Sequence, residues 1–108
     1  MKSLTLSLLV LASLSAAQQP QTFTGTITDS VCSKAVHSQM RMGPTDAECT
    51  LACISSHQAD YVLYDGKNVY VLSQHPRLEQ FAGKKVTITG TLDAKASTIQ
   101  VESIAAAK

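Results

Sequence analysis

The chain has 108 residues, and its nine Lys and Arg side chains nearly balance its eight Asp and Glu side chains, giving a formal net charge of +1. This length suits one small domain, and the even charge balance excludes the basic surface that a nucleic-acid partner requires. The composition includes three cysteines, an odd number that cannot all pair within one molecule: Cys32, Cys49 and Cys53.

The first seventeen residues have the pattern of an export signal. Lys2 precedes an apolar run from Leu4 to Leu14, and the small residues Ser15-Ala16-Ala17 follow. The pattern predicts a signal peptide over residues 1–17 and a periplasmic or secreted protein, in an oxidising compartment. A membrane anchor would need about 20 apolar residues, so it is the weaker alternative. Residues 18–108 are then a single domain, with no membrane attachment after cleavage.

A strand, a long loop and a helix are predicted next. Phe23 to Asp29 alternates threonine with other residues, which is the period of a strand. Ser30 to Pro44 has no apolar periodicity and ends in Gly-Pro, which predicts a loop of a length that is often functional. Thr45 and Glu48 match the capping box, so we expect a helix over about Asp46–Ser56.

The middle of the chain predicts a β-hairpin and a short helix. Tyr61–Tyr64 and Asn68–Leu72 are rich in aromatic and β-branched residues and flank Asp65-Gly66. Leu78 and Phe81 are then spaced three apart, which indicates about one helical turn that packs on a sheet.

Two further strands complete the predicted sheet. The first alternates threonine with apolar residues from Val86 to Leu92, and the second runs from about Thr98 to Ile104, followed by a frayed tail. Ile104 is out of phase with Ile99 and Val101, which indicates a bulge or the end of the strand.

These elements predict a mainly β fold. Gly25 and Gly90 lie inside the first and fourth strands, where a small barrel must bend sharply. We expect a five-stranded OB-like barrel or half-open barrel, with one helix inserted between strands 1 and 2 and a short helix before strand 4. A half-open sheet with both helices on one face is the main alternative.

The predicted helix separates the cysteines into two groups. Cys49 and Cys53 lie four residues apart on one face, with their Cβ atoms about 5–6 Å from each other. A disulfide needs about 3.5–4.5 Å. These two cysteines are therefore not expected to bond to each other, and any intramolecular disulfide must use Cys32.

The other residues of the helix suggest where the two thiols point. A second, apolar stripe lies on the opposite side of the helical wheel and is expected to face the barrel: Ala47, Leu51 and Ile54. The thiols then face the preceding loop, which carries four candidate ligands: Cys32, His37, Met40 and Met42. We predict a sulfur-rich pocket between the loop and the helix.

Two interpretations of this pocket compete. In one, Cys32 pairs with a helix cysteine and the remaining thiol is buried or joins two chains in a disulfide-linked dimer, giving a structural or protein-interaction module. In the other, the pocket holds Zn²⁺, or Cu(I) assisted by Met40 or Met42. The metal ligands would be three sulfurs and one imidazole: Cys32, His37, Cys49 and Cys53.

Catalytic roles are disfavoured by the sequence. A nucleophilic or redox thiol at Cys49 would gain from the helix dipole, but Asp46 and Glu48 beside it oppose that effect. Asp29 and Asp60 have no partner carboxylate in the sequence for acid–base work. We therefore assign no catalytic residue and expect a binding domain rather than an enzyme.

The remaining histidines and the tyrosines have simpler explanations. His57 follows the helix, where a cation would face the end of the helix dipole. His75 precedes a proline, which is the position of a turn residue. The tyrosines could stack bases but are better explained as cross-strand packing: Tyr61, Tyr64 and Tyr70.

Several segments resemble known bacterial domains. Gly25 to Cys32, Asp46 to Cys53 and Tyr61-Val62-Leu63 are similar to a group of small exported bacterial domains of unknown function. Lys85 to Leu92 and Ile99 to Ile104 are similar to the closing strands of bacterial OB-fold domains. The resemblance implies an exported OB-like domain, and it implies no substrate, cofactor or catalytic residue. From the residues themselves we expect a domain that binds an unknown protein or small ligand.

Overall fold

The computed structural model describes residues 19–108, so the predicted signal peptide over residues 1–17 lies outside the described residues. Within residues 19–108, one helix, α1, spans Asp46–Ser56, and a single 3-10 turn spans Glu79–Phe81. The five strands are β1 Gln21–Asp29, β2 Tyr61–Tyr64, β3 Val69–Leu72, β4 Lys85–Asp93 and β5 Thr98–Ala106. The prediction of a mainly β fold with one helix between β1 and β2 and a short helical turn before β4 is confirmed.

The five strands form one mixed sheet that closes into a ring in the order β1-β2-β3-β5-β4. The ring closes because β1 has two partners: it pairs with β4 over Gln21–Thr26 and with β2 over Thr26–Asp29. All pairs are antiparallel except β3 with β5. This closure differs from the half-open alternative.

Gly25 and Gly90 lie where the strands must approach each other most closely. A Cβ atom at Gly25 would collide with the carbonyl oxygen of Tyr64, and one at Gly90 with that of Gln100. The register between β4 and β5 also shifts beside Gly90, leaving Glu102 as an extra residue. The predicted bulge before Ile104 is therefore confirmed, although β5 continues to Ala106 instead of ending in a frayed tail.

The interior of the ring is a compact apolar core that excludes the cysteines. It is formed by nine buried side chains: Ile27, Leu63, Leu72, Leu78, Phe81, Val86, Ile88, Ile99 and Ile104. The cysteines instead lie with the loop after β1 and with α1, which packs near the end of β1. Among the described residues, no helix is long and apolar enough to span a membrane.

Candidate metal centre

The last residue of β1 organises the start of the loop. The Asp29 carboxylate accepts hydrogen bonds through Oδ1 from the backbone N–H groups of Val31, at 3.0 Å, and Cys32, at 2.9 Å. This is the geometry in which an aspartate side chain closes a turn on its own backbone. The Thr28 hydroxyl donates to the carbonyl oxygen of Cys32 at 2.8 Å. Cys32 is therefore fixed against the end of the strand.

A second turn brings His37 back toward Cys32. The N–H of Ala35 donates to the carbonyl of Cys32 at 2.8 Å, and Ala35 has a φ of 61°, in the left-handed region. An alanine in that region costs about 1–2 kcal/mol, so the surrounding loop must hold it there. The His37 carbonyl then accepts from the N–H of Met40 at 3.2 Å. The two turns place the imidazole on the same side of the loop as Cys32.

Asp29, Cys32 and His37 form a buried cluster. One ligand atom from each lies within 4.8 Å of the others. Asp29 is 0%, Cys32 8% and His37 3% exposed. Two polar atoms of this cluster, Asp29 Oδ2 and His37 Nδ1, have no hydrogen-bond partner. Buried polar atoms are nearly always paired, so unpaired ones on two residues of the same cluster need an explanation. A cation between them would pair both.

Helix α1 covers the cluster with its cysteine face. The helix begins as the capping box predicts, with Thr45 Oγ1 accepting from the N–H of Glu48 at 3.1 Å. Its buried residues are Cys49, Thr50 and Cys53. The predicted core-facing stripe is only partly buried and contributes nothing to the core of the ring: Ala47, Leu51 and Ile54. This differs from the prediction, because the strands, together with Leu78 and Phe81 at the 3-10 turn, already fill the interior of the ring.

Cys49 holds the loop onto the helix. Its thiol donates to the carbonyl of Met40, with Sγ and O 3.3 Å apart, and its Sγ accepts from the N–H of Met42 at 3.2 Å. The prediction that the helix thiols face the loop is thus confirmed for this residue. Both hydrogen-bonding functions of Cys49 are already used, and it lies outside the Asp29–Cys32–His37 group.

Cys53 is buried beside Asp29. Burial, followed by the negative charges of Asp29 and Cys49, raises the pKa of the Cys53 thiol to about 11. Burial and the charge of Asp29 likewise raise the pKa of Cys32. These two cysteines are protonated at neutral pH without a cation, which disfavours a nucleophilic role. A bound cation would reverse this effect, because its charge favours thiolates.

The three cysteines are free and buried. No disulfide joins Cys32 to Cys49 or Cys53, although the disulfide interpretation of the sequence required such a bond. The structure instead brings Cys32 and His37 together, as the metal interpretation requires. It leaves Cys49 and Cys53 next to this pair rather than in the tight group.

Asp29 is the cluster member that the sequence interpretation missed, because it was considered only as an acid–base group. The available signal was its position: an aspartate that ends a strand three residues before a cysteine. Such an aspartate closes a turn that draws the cysteine back beside its own carboxylate.

The other candidates have the structural roles that the sequence predicted. The N–H of His57 donates to the Cys53 carbonyl at 3.0 Å and ends the helix. His75 Nδ1 accepts from the N–H of Arg77 at 3.1 Å, within a turn. Tyr70 packs against Phe23 with ring centroids 5.5 Å apart. None of these residues belongs to the cluster.

In comparisons with known proteins, no protein family, curated protein or solved structure matches this chain. The geometry of the cluster is therefore the main support for a function.

Proposed function

We propose that this protein is a metal-binding domain that holds one Zn²⁺ ion through Asp29, Cys32 and His37, with Cys53 as the fourth ligand. The observation that carries the proposal is a buried cluster in which one ligand atom each of Asp29, Cys32 and His37 lies within 4.8 Å of the others. Two of these residues also have an unpaired buried atom, Asp29 Oδ2 and His37 Nδ1. Carboxylate oxygen, thiolate sulfur and imidazole nitrogen are the donors that zinc prefers in proteins.

The cluster needs only a small contraction to hold zinc. With metal–ligand bonds of about 2.0–2.3 Å, the donors of a tetrahedral centre are about 3.3–3.8 Å apart. The ligand atoms of Asp29, Cys32 and His37, now up to 4.8 Å apart, would have to move about 1 Å closer together to reach that range.

Cys53 is a better fourth ligand than Cys49. Cys49 is engaged by the backbone of Met40 and Met42, so its use as a ligand would release the loop from the helix. Cys53 lies beside the Asp29 carboxylate, whose charge raises the pKa of its thiol. A divalent cation placed there would favour the Cys53 thiolate, because its charge would offset the repulsion between the thiolate and the Asp29 carboxylate.

Copper(I) is the second candidate from the sequence. Cu(I) selects thiolate and thioether ligands, so a Cu(I) site would draw on the cysteines and on Met40 or Met42. It would leave the oxygen of Asp29 without a partner. The unpaired oxygen therefore favours zinc, and a competition between the two metals distinguishes them.

The wider setting of the site is proposed from the strand order and the sequence. The ring order β1-β2-β3-β5-β4, with its parallel β3–β5 pair, supports an OB-like domain. The apolar N-terminal pattern supports export to the periplasm or the medium. A non-enzymatic role is supported by the buried ligand atoms and by the raised thiol pKa values. The alternative is a disulfide-stapled interaction module with one free thiol.

The test is metal loading of cysteine variants. Native mass spectrometry of the wild type should show one zinc per chain, and Co²⁺ substitution should give sulfur-to-cobalt charge transfer with the visible bands of four-coordinate cobalt. Cys32→Ser and Cys53→Ser should each weaken the charge-transfer band. Cys49→Ser, the matched control, should retain both bands.

Two results would reject the zinc site. A wild-type mass two daltons below that of the fully reduced chain, with no bound metal, would favour the disulfide module instead. Preferential retention of Cu(I) over Zn²⁺ by a protein that also tolerates Asp29→Asn would reject zinc in favour of copper.

A further inference from the structure

A cavity of about 400 Å³ opens beside the candidate metal centre. Its walls come entirely from the loop between β1 and α1, within the segment from Val31 to Met40. Cys32 forms part of the wall, so the cavity and the metal cluster share one residue. This volume is within the range of cavities that bind small molecules, about 300–1,000 Å³.

The cavity gathers the exposed apolar surface of the domain. Among the described residues, three large hydrophobic side chains are exposed: Val31 at 45%, Val36 at 61% and Met40 at 42%. All three line this cavity. Single exposed apolar side chains are common, but a group of them around a concave surface indicates a binding site. The loop therefore presents an apolar wall to a ligand.

The charge of the cavity has one sign. Lys34 is the only charged residue in its lining, and no acidic side chain lines it. Gln39 adds an uncharged polar group at the wall. A ligand that matches this lining has an apolar body for the valines and Met40 and a negative group for the Lys34 ammonium.

We propose that this cavity binds a small organic anion, specifically a short-chain carboxylate. The site is separate from the zinc ion in its chemistry, because four protein ligands leave the ion no open position. It rests on the proposed function in one respect: zinc on Cys32 and His37 would fix the loop that forms the cavity. The carboxylate therefore binds more tightly to the zinc-loaded protein, because the loop loses less conformational freedom when the ligand binds.

The experiment is a titration of ¹⁵N-labelled protein with hexanoate, followed by amide chemical shifts, in zinc-saturated and chelator-treated samples. Hexylammonium, which has the same chain and the opposite charge, is the ligand control. A Kd of about 1 mM is what a ligand of this size can reach. The shifts should be confined to residues 31–40, and hexylammonium should produce none of them.

Matched variants separate the charge from the apolar wall. Lys34→Gln should weaken hexanoate binding by about 1.5- to fivefold, the range of a partly exposed ion pair. Lys67→Gln, which changes an exposed lysine in the hairpin turn, should leave the affinity for hexanoate unchanged. Val36→Ser should also weaken hexanoate binding. Because Val36 is largely exposed, this substitution should not impair folding.

The outcomes distinguish this proposal from the zinc site. Equal binding of hexanoate and hexylammonium, or shifts spread away from residues 31–40, would overturn the anion site while leaving zinc binding intact. Hexanoate binding that is equally tight in both samples would overturn the coupling to zinc. If zinc does not bind, hexanoate shifts that depend on Lys34 in the metal-free protein still support the anion site.

Discussion

Replacing Asp29 with asparagine should separate the stability of the metal-free protein from its affinity for zinc. Asparagine keeps an oxygen at Oδ1, where the N–H groups of Val31 and Cys32 donate, and removes the charge at the unpaired Oδ2. A buried charge without a partner is unfavourable. The metal-free Asp29→Asn protein should therefore be at least as stable as the wild type, while its zinc affinity falls.

The size of the loss in zinc affinity follows from the removal of the Asp29 carboxylate as a zinc ligand. A charge-assisted contact contributes about 1.5–3 kcal/mol, and the upper end of that range corresponds to roughly hundredfold weaker binding. At a zinc concentration of about 100 times the wild-type Kd, zinc stabilises the wild type by about 2.7 kcal/mol and the variant by about 0.4 kcal/mol. For a domain of this size, the zinc-induced rise in Tm should be smaller by about 10–15 °C in the variant.

Thermal unfolding by circular dichroism, with and without zinc, measures both effects. Asp65→Asn is the matched control, because Asp65 Oδ1 also accepts two backbone N–H groups, from Lys67 at 2.8 Å and Asn68 at 2.6 Å, in an exposed turn outside the cluster. This control should keep the full zinc-induced rise. A full rise in Asp29→Asn would refute the assignment of Asp29 as a ligand.

Three further substitutions test the loop, the buried thiol of α1 and the closure of the ring. Ala35→Gly should raise the Tm of the metal-free protein by about 4–8 °C, because glycine relieves the left-handed φ of 61° at a gain of about 1 kcal/mol; an unchanged or lower Tm would contradict this. Burial and then Asp29 raise the Cys53 pKa from 9.0 to about 11, so the folded protein keeps a proton that the unfolded chain loses. The stability from this group is present below about pH 9 and is lost as the pH rises toward about 11. Urea unfolding of the metal-free protein at about pH 8 and about pH 10 should then show a larger loss of unfolding free energy for the wild type than for Cys53→Ala. Equal losses would contradict a raised Cys53 pKa. Gly90→Ala should destabilise the ring by about 1–3 kcal/mol in the same urea assay, because the added methyl meets the carbonyl of Gln100; wild-type stability would show that β4 and β5 can separate there.

Local signals account for the parts of the fold that the sequence predicted correctly. The Thr45 cap, the Asp65-Gly66 turn and the out-of-phase Ile104 each depend on residues within a few positions of one another. The sequence predicts bends at Gly25 and Gly90 because a glycine inside a strand often marks a tight bend or a close approach of another backbone. In all of these cases, the residue whose type predicts the feature is also the residue that forms it in the structure.

The errors concern contacts that local patterns do not encode. The helical wheel divided α1 into an apolar face and a sulfur face, but burial depends on what already fills the ring. The strands and the 3-10 turn fill it without Leu51 or Ile54. Asp29 was missed because its role requires both a turn to Cys32 and a second turn to His37. The second turn depends on Ala35 in a left-handed conformation, which the sequence of an alanine does not suggest.

The unpaired atoms also weigh against the disulfide interpretation on energetic grounds. A bond from Cys32 to a helix cysteine would close a loop of roughly 20 residues and contribute about 3 kcal/mol. It would do nothing for Asp29 Oδ2 and His37 Nδ1, and leaving two such groups unsatisfied costs about 1–3 kcal/mol each. This cost is the same whether Cys32 is a free thiol or part of a disulfide, so a disulfide would leave it unrelieved. A cation bound by Cys32 pairs the same two atoms, and because a sulfur in a disulfide is no longer a thiolate ligand, the two states of Cys32 exclude each other.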